Sequence, residues 1–145
     1  MAKKLNIITK MLIGGDLRSI GKSDEVVKKV VKEAELIELL YDGFFTDDPV
    51  VRMRTADVLE KVSRKTPNIL MPFKKSLIKK VSQIDQQEVQ WHLAQIYPRL
   101  ILTEKEIETV RKILINWALG GTSGCTFNSI CSSTRTAFIC IALTG

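Results

Sequence analysis

Asp47-Asp48-Pro49-Val50-Val51-Arg52-Met53-Arg54-Thr55-Ala56-Asp57-Val58-Leu59 is the stretch on which the reading of the fold turns. Two aspartates before a proline mark a capped helix start with proline in the first turn. Val51, Thr55, Ala56, Val58, Leu59 and Val62 then recur on one side at helical spacing, and Thr66-Pro67 ends the run. Paired carboxylates can do acid–base chemistry, but at a helix start capping accounts for Asp47 and Asp48 in full.

The same grammar extends in both directions. Ser23 before Asp24-Glu25 predicts an N-cap with acids in the first turn. Val26, Val27, Val30, Val31 and Ala34 follow at helical spacing, and Leu36, Ile37, Leu39, Leu40 and Phe44 continue an apolar face. Beyond Pro67 a third helix is predicted through Leu70, Phe73, Leu77, Ile78 and Val81. Asp85 opens the next turn, and Val89, Leu93, Ala94, Ile96 and Tyr97 carry a fourth helix. Thr103 with Glu106 forms a capping box before Ile107, Val110, Ile113, Leu114 and Trp117. The expected fold class is all-α.

Sliding the chain by 38 residues lays the second of these helices on the fourth. Asp47 then meets Asp85, Val51 meets Val89, Ala56 meets Ala94, Val58 meets Ile96 and Lys61 meets Arg99, while Met53 falls on Trp91 and Arg54 on His92. The third helix falls on the fifth, with Ile69 on Ile107 and Leu77 on Ile115. Helix pairs recurring at a fixed period, each with a small alanine at mid-face, imply units that bury their apolar stripes by stacking.

The opening stretch resembles the Asp-x-x-x-Val-Arg-x-x-Ala-x-x-x-Leu core of HEAT repeats, and the likeness covers roughly residues 34 to 119, about two and a half units. The chain is similar to small bacterial or archaeal HEAT-repeat proteins. This resemblance implies a short α-solenoid of HEAT/armadillo-like antiparallel helix pairs. The second unit departs from the motif, with Gln90 where the first has Arg52, which breaks a continuous arginine ladder. The expected organisation is a basic segment over 1–22, helical repeats over 23–119 and a Ser/Thr/Cys-rich tail over 120–145. Two readings of that tail stay open. Arg135-Thr136-Ala137 echoes Arg54-Thr55-Ala56 and suggests a degenerate repeat helix, whereas the composition also suits a segment foreign to the fold.

Composition narrows the function. Of 145 residues, 45% are apolar and 26% charged, which excludes collagen-like and disordered classes. No run approaches the 18 or so apolar residues of a membrane-spanning helix. The net charge of +6 is uneven: +4 over residues 1–23, −2 over 24–68 and +3 over 69–119. Bases and acids alternate through the middle, so a phosphate-backbone stripe is not evident. Cys125, Cys131 and Cys140 fit no metal-ligand spacing. With no signal-peptide pattern at the start, they point to reduced thiols and a cytoplasmic protein.

Three motifs bear on chemistry. Gly15-Asp16-Leu17-Arg18-Ser19-Ile20-Gly21-Lys22-Ser23 resembles a phosphate-binding loop, but five residues rather than four separate its glycines, and Asp16 stands where an anion should sit. His92, the single histidine, has only Glu88 as a local ligand-type neighbour. No cysteine has a base placed to activate it. The chain is therefore read as no enzyme, with no cofactor and no metal.

One constellation remains. Arg54, Asp57 and Lys61 point away from the apolar face of their helix, and the 38-residue shift carries them onto His92, Gln95 and Arg99. In a HEAT-type stack the second helices line the concave surface, so these six would form two rungs of a mildly basic groove bordered by Met53 and Trp91. Equally, Met53 and Trp91 can pack between helices. The expectation is a scaffold that binds an acidic protein or peptide through Met53, Arg54, Asp57, Lys61, Trp91, His92, Gln95 and Arg99. The alternative is nucleic-acid binding through a basic face. A homodimer through an uncapped repeat end is a further expectation.

Overall fold

The computed structural model describes residues 6–14 and 21–118; the tail and the interior of the glycine-bounded loop lie outside the described residues. Those described are helical throughout their regular structure, with no strand. None of these helices is long and apolar enough to cross a membrane. The chain divides into two compact units between Ile69 and Leu70.

The first unit is built around one long helix. Its elements are α1 (Ile7–Leu12), α2 (Ser23–Lys32), α3 (Leu36–Tyr41), a 3-10 turn (Asp42–Phe45) and α4 (Pro49–Lys65). α4 starts as its sequence predicts. Asp48 is the N-cap, its Oδ1 accepts from the Val50 N–H at 2.9 Å, and Pro49 occupies the first turn. It ends at Thr66, whose N–H bonds the Val62 carbonyl ahead of Pro67.

Val51, Thr55, Ala56, Val58, Leu59 and Val62 are all buried on α4, but so are Met53, Arg54, Glu60 and Ser63. An amphipathic helix on a surface buries one stripe. α4 buries most of its circumference because α1, α2, α3 and the 3-10 turn all pack on it. α1 is the element the sequence reading passed over inside its basic segment. The Asn6 Oδ1 caps it by accepting from the Thr9 N–H at 2.8 Å, and the Asn6 Nδ2 donates to the Leu39 carbonyl at 2.9 Å, joining α1 to α3. Ile8 and Leu12 are thereby buried.

Two local expectations are corrected in this unit. Ser23 is the first helical residue of α2, not its cap; Lys22 holds the cap position without a side-chain bond. The apolar face does not run unbroken from Val26 to Phe44. α2 stops at Lys32, and Ala34 is exposed in the link to α3 because Glu33 leaves the helical region at φ −126° and ψ 88°. Gly43 lets the 3-10 turn press directly on α4: a Cβ there would lie 2.0 Å from Thr55 Oγ1.

The second unit holds α5 (Lys74–Lys79), α6 (Gln87–Ile96) and α7 (Glu104–Ala118), with 3-10 segments at Pro67–Phe73, Val81–Gln83 and Tyr97–Arg99. The predicted third helix is thus a short α-helix between two 3-10 stretches. Pro72 lies within the first of them, where it supplies no N–H and its ring opposes a regular α-helical turn. α7 begins on the expected capping box: the Thr103 N–H donates to Glu106 Oε2 at 2.8 Å, and the Glu106 N–H returns to Thr103 Oγ1 at 3.3 Å. Tyr97 and Trp117 stack at 6.4 Å between centroids, and the Tyr97 hydroxyl donates to the Leu77 carbonyl at 2.9 Å.

The starts of α4 and α6 keep the 38-residue offset, but α5 and α7 do not: α5 starts at Lys74 and α7 at Glu104, and Leu77 is buried where its expected match Ile115 is exposed. α4 and α6 start at Pro49 and Gln87, 38 residues apart, and their caps Asp48 and Gln86 hold the same offset. Asp85 itself is exposed and does not cap α6. Val51 and Val89, Ala56 and Ala94, and Val58 and Ile96 are buried in both copies.

Candidate functional site

The eight residues expected to line a groove fall into two sets, four on α4 in the first unit and four in the second unit on α6 and the turn that follows it. On α4 the outcome differs from the expectation at two positions. Arg54 is 1% exposed, and its Nη1 donates to the Leu12 carbonyl at 2.8 Å. Met53 is buried as well. For Arg54 the physical reason is α1, which packs on α4 and whose Leu12 carbonyl accepts from the guanidinium.

Asp57 and Lys61 are brought together. The Lys61 ammonium lies 3.0 Å from Asp57 Oδ2, one turn back on α4, and 2.8 Å from Asp24 Oδ1 on α2. Burial pushes the Lys61 pKa down, but its hydrogen bonds to Asp24 and Asp57 outweigh this and raise it. The hydrogen bond from Lys61, with its charge, holds the Asp24 carboxyl below its ordinary range. This trio clamps α2 to α4, a task that occupies the very charges expected to meet a partner.

On α6 the picture is mixed. His92 is buried, its ring tilted 58° against Trp91 at 4.8 Å. Trp91 stays 39% exposed, although Val89, Leu93 and Ile96 around it on the same helix are fully buried. Gln95, one turn along, is half-buried and its Nε2 donates to the Trp91 carbonyl at 3.5 Å. Arg99 is half-buried in the 3-10 turn after α6. Trp91 and Gln95 are one turn apart on α6, and of the three residues Trp91 is the exposed one. Lys75, Lys79 and Lys80 on and after α5 are exposed too.

One feature was missed at the level of sequence. A cleft of about 370 Å³ opens in the first unit where α1, the start of α2 and α4 meet. Lys10, Lys22 and Arg54 bring positive charge to it, Gly14 and Gly21 bring backbone, and Met11 and Ile13 form an apolar side. Among the described residues no acid lines it. The signal in the sequence is Gly21-Lys22 at the end of the loop-like motif, whose glycine spacing and Asp16 argue against a phosphate loop. The interior of that motif, residues 15–20, lies outside the described residues, as do the three cysteines.

Among the described residues, no group of three or more His, Cys, Asp or Glu side chains is placed to hold a metal ion. No protein-family model, no curated protein and no solved structure matches the chain.

Proposed function

We propose that the chain is a non-catalytic protein–protein interaction scaffold built from HEAT-like helix pairs, and that the Trp91 side of α6 meets the partner. The observation that carries this reading is Trp91. A tryptophan left 39% exposed on a helix whose neighbouring apolar residues are all buried forgoes a large hydrophobic gain, and tryptophan is a leading anchor at interface centres. Gln95 lies one turn on along α6, and Arg99, a residue type that pairs with carboxylates on an acidic protein or peptide, follows in the next 3-10 turn. The 38-residue offset shared by the starts of α4 and α6 supports a repeat of stacked helix pairs.

Relative to the groove expected from sequence, Met53, Arg54 and His92 drop out because they are buried, and Asp57 and Lys61 because they pair with each other and with Asp24. The partner surface shrinks to Trp91, Gln95 and Arg99.

A second reading has its own support. Lys75, Lys79 and Lys80 are exposed, and Lys75 and Lys79 are one turn apart on α5. Such a row suits phosphates of a nucleic acid.

The test is capture from the source lysate with wild-type chain and with Trp91→Ala plus Arg99→Glu, each with and without nuclease. A nuclease-resistant protein captured by the wild type and lost in the variant, with unchanged circular dichroism, supports the scaffold. Capture that is indifferent to the variant removes this surface. Capture abolished by nuclease, with affinity falling log-linearly in salt and weakened by Lys75→Glu with Lys79→Glu, transfers the function to nucleic-acid binding.

A further inference from the structure

The cleft in the first unit gathers three cationic side chains from three separate elements. Lys10 sits in the last turn of α1, Lys22 at the N-cap of α2 and Arg54 in the middle of α4. Arg54 is held in place from behind by the Leu12 carbonyl. Gly21, at φ +52°, carries the backbone against the guanidinium so closely that a Cβ would lie 2.8 Å from its Cζ. Only glycine takes that conformation freely and leaves the space.

Two further features favour an anion at this place. α2 runs for ten residues from Ser23, so the positive end of its dipole and its first free N–H groups lie beside Lys22. The Gly21 backbone and the Lys22 ammonium at the same helix start both line the cleft. A lysine and a glycine backbone at a helix start are among the groups with which chains commonly wrap phosphate oxygens. At about 370 Å³ the cleft lies near the low end for small-ligand sites, which suits a phosphate or diphosphate group better than a whole nucleotide.

We propose that this cleft, formed by Lys10, Lys22, Arg54 and the Gly21 backbone, binds the phosphate or diphosphate group of a small phosphorylated molecule. Such a site is separate from the α6 surface and does not depend on it.

The experiment is an NMR titration of the full isotope-labelled chain with inorganic pyrophosphate, and separately with a short single-stranded oligonucleotide, at about 0.15 M salt. The expected result is saturable shifting of the Gly21, Lys22 and Ser23 amides by pyrophosphate. Lys10→Gln with Lys22→Gln, both exposed positions that do not endanger the fold, should weaken it by about tenfold or more. Lys28→Gln with Lys29→Gln removes the same charge from the exposed side of α2 and should change it less than about twofold.

Equal losses in the two pairs, or linear shifts spread over many lysines, overturn the proposal. So does binding of the oligonucleotide alone. An Asp16→Asn chain completes the test, since Asp16 is the acid in the sequence between Gly14 and Gly21. Pyrophosphate binding seen only in that variant also overturns the proposal, because the chain's own carboxylate then takes the anion's place. Binding in both wild type and variant supports it.

Discussion

Replacing Gly43 by alanine tests how α4 is seated in the first unit. The added methyl would sit 2.0 Å from Thr55 Oγ1 and 3.2 Å from Thr55 Cβ, with both residues buried. Carbon–oxygen contacts rest near 3.3 Å, so the turn and α4 would have to part by about 1.3 Å or Thr55 would have to leave its rotamer. Overpacking of this kind costs about 1–3 kcal/mol, and a clash between two backbone-anchored groups belongs at the top of that range. The intrinsic preference of a turn of helix for alanine over glycine, up to about 1 kcal/mol, acts in the opposite direction. A net loss of about 2 kcal/mol is expected.

A double-mutant cycle isolates the contact. Thr55→Ala alone removes a buried methyl, at about 1 kcal/mol, but also removes a buried hydroxyl that has no hydrogen-bond partner. These effects oppose each other, and the single variant should be nearly neutral. With Oγ1 gone, the alanine at 43 faces only Thr55 Cβ at 3.2 Å, a few tenths of an ångström from a normal contact. The double variant should therefore recover most of the loss, giving a coupling energy of about 1.5–2 kcal/mol. Urea unfolding followed by circular dichroism gives all four corners of the cycle. Additivity within about 0.5 kcal/mol would refute the argument, because the loss would then arise from something other than the Gly43–Thr55 approach.

Two further predictions concern the second unit. Tyr97→Phe keeps the ring stacked on Trp117 but deprives the buried Leu77 carbonyl of its hydroxyl donor, so stability should fall by about 1 kcal/mol with tryptophan fluorescence little changed; an unchanged urea midpoint counts against that bond. Glu106 is held below its ordinary carboxyl range, first by the hydrogen bond from Lys74 and then by that from the Thr103 N–H. A depressed folded-state pKa stabilises the fold above the unfolded value of 4.5, and the contribution disappears as pH falls through the lower folded value. Glu106→Gln should therefore lower stability at neutral pH and converge with wild type in strong acid, as read from urea midpoints across pH; a gap that persists in acid refutes the linkage.

The accuracy of the sequence reading follows the range of the interactions involved. Asp48-Pro49 and Thr103 with Glu106 set helix starts through groups three or fewer residues apart, so those boundaries were legible. The buried stripe of α4 was legible for the same reason, since a 3.6-residue period needs no partner to be recognised. The third helix was not, because its apolar spacing hid the effect of Pro72 on a regular turn. Ser23 carried the right residue type for a cap but stands one position inside the helix.

Sequence by itself determined the all-α class of the described residues, the starts of α4 and α7 and a 38-residue offset between α4 and α6, since capping bonds and helical periodicity are local. Tertiary structure alone decided which polar faces stay in water. Arg54 and His92 occupy matching positions, and so do Met53 and Trp91, yet of these four only Trp91 is exposed. The pattern of a helix records which face must be buried, and it is silent on what else may cover the rest. A guanidinium can be enclosed where distant segments accept its hydrogen bonds, and one such acceptor for Arg54 is the Leu12 carbonyl, 42 residues away.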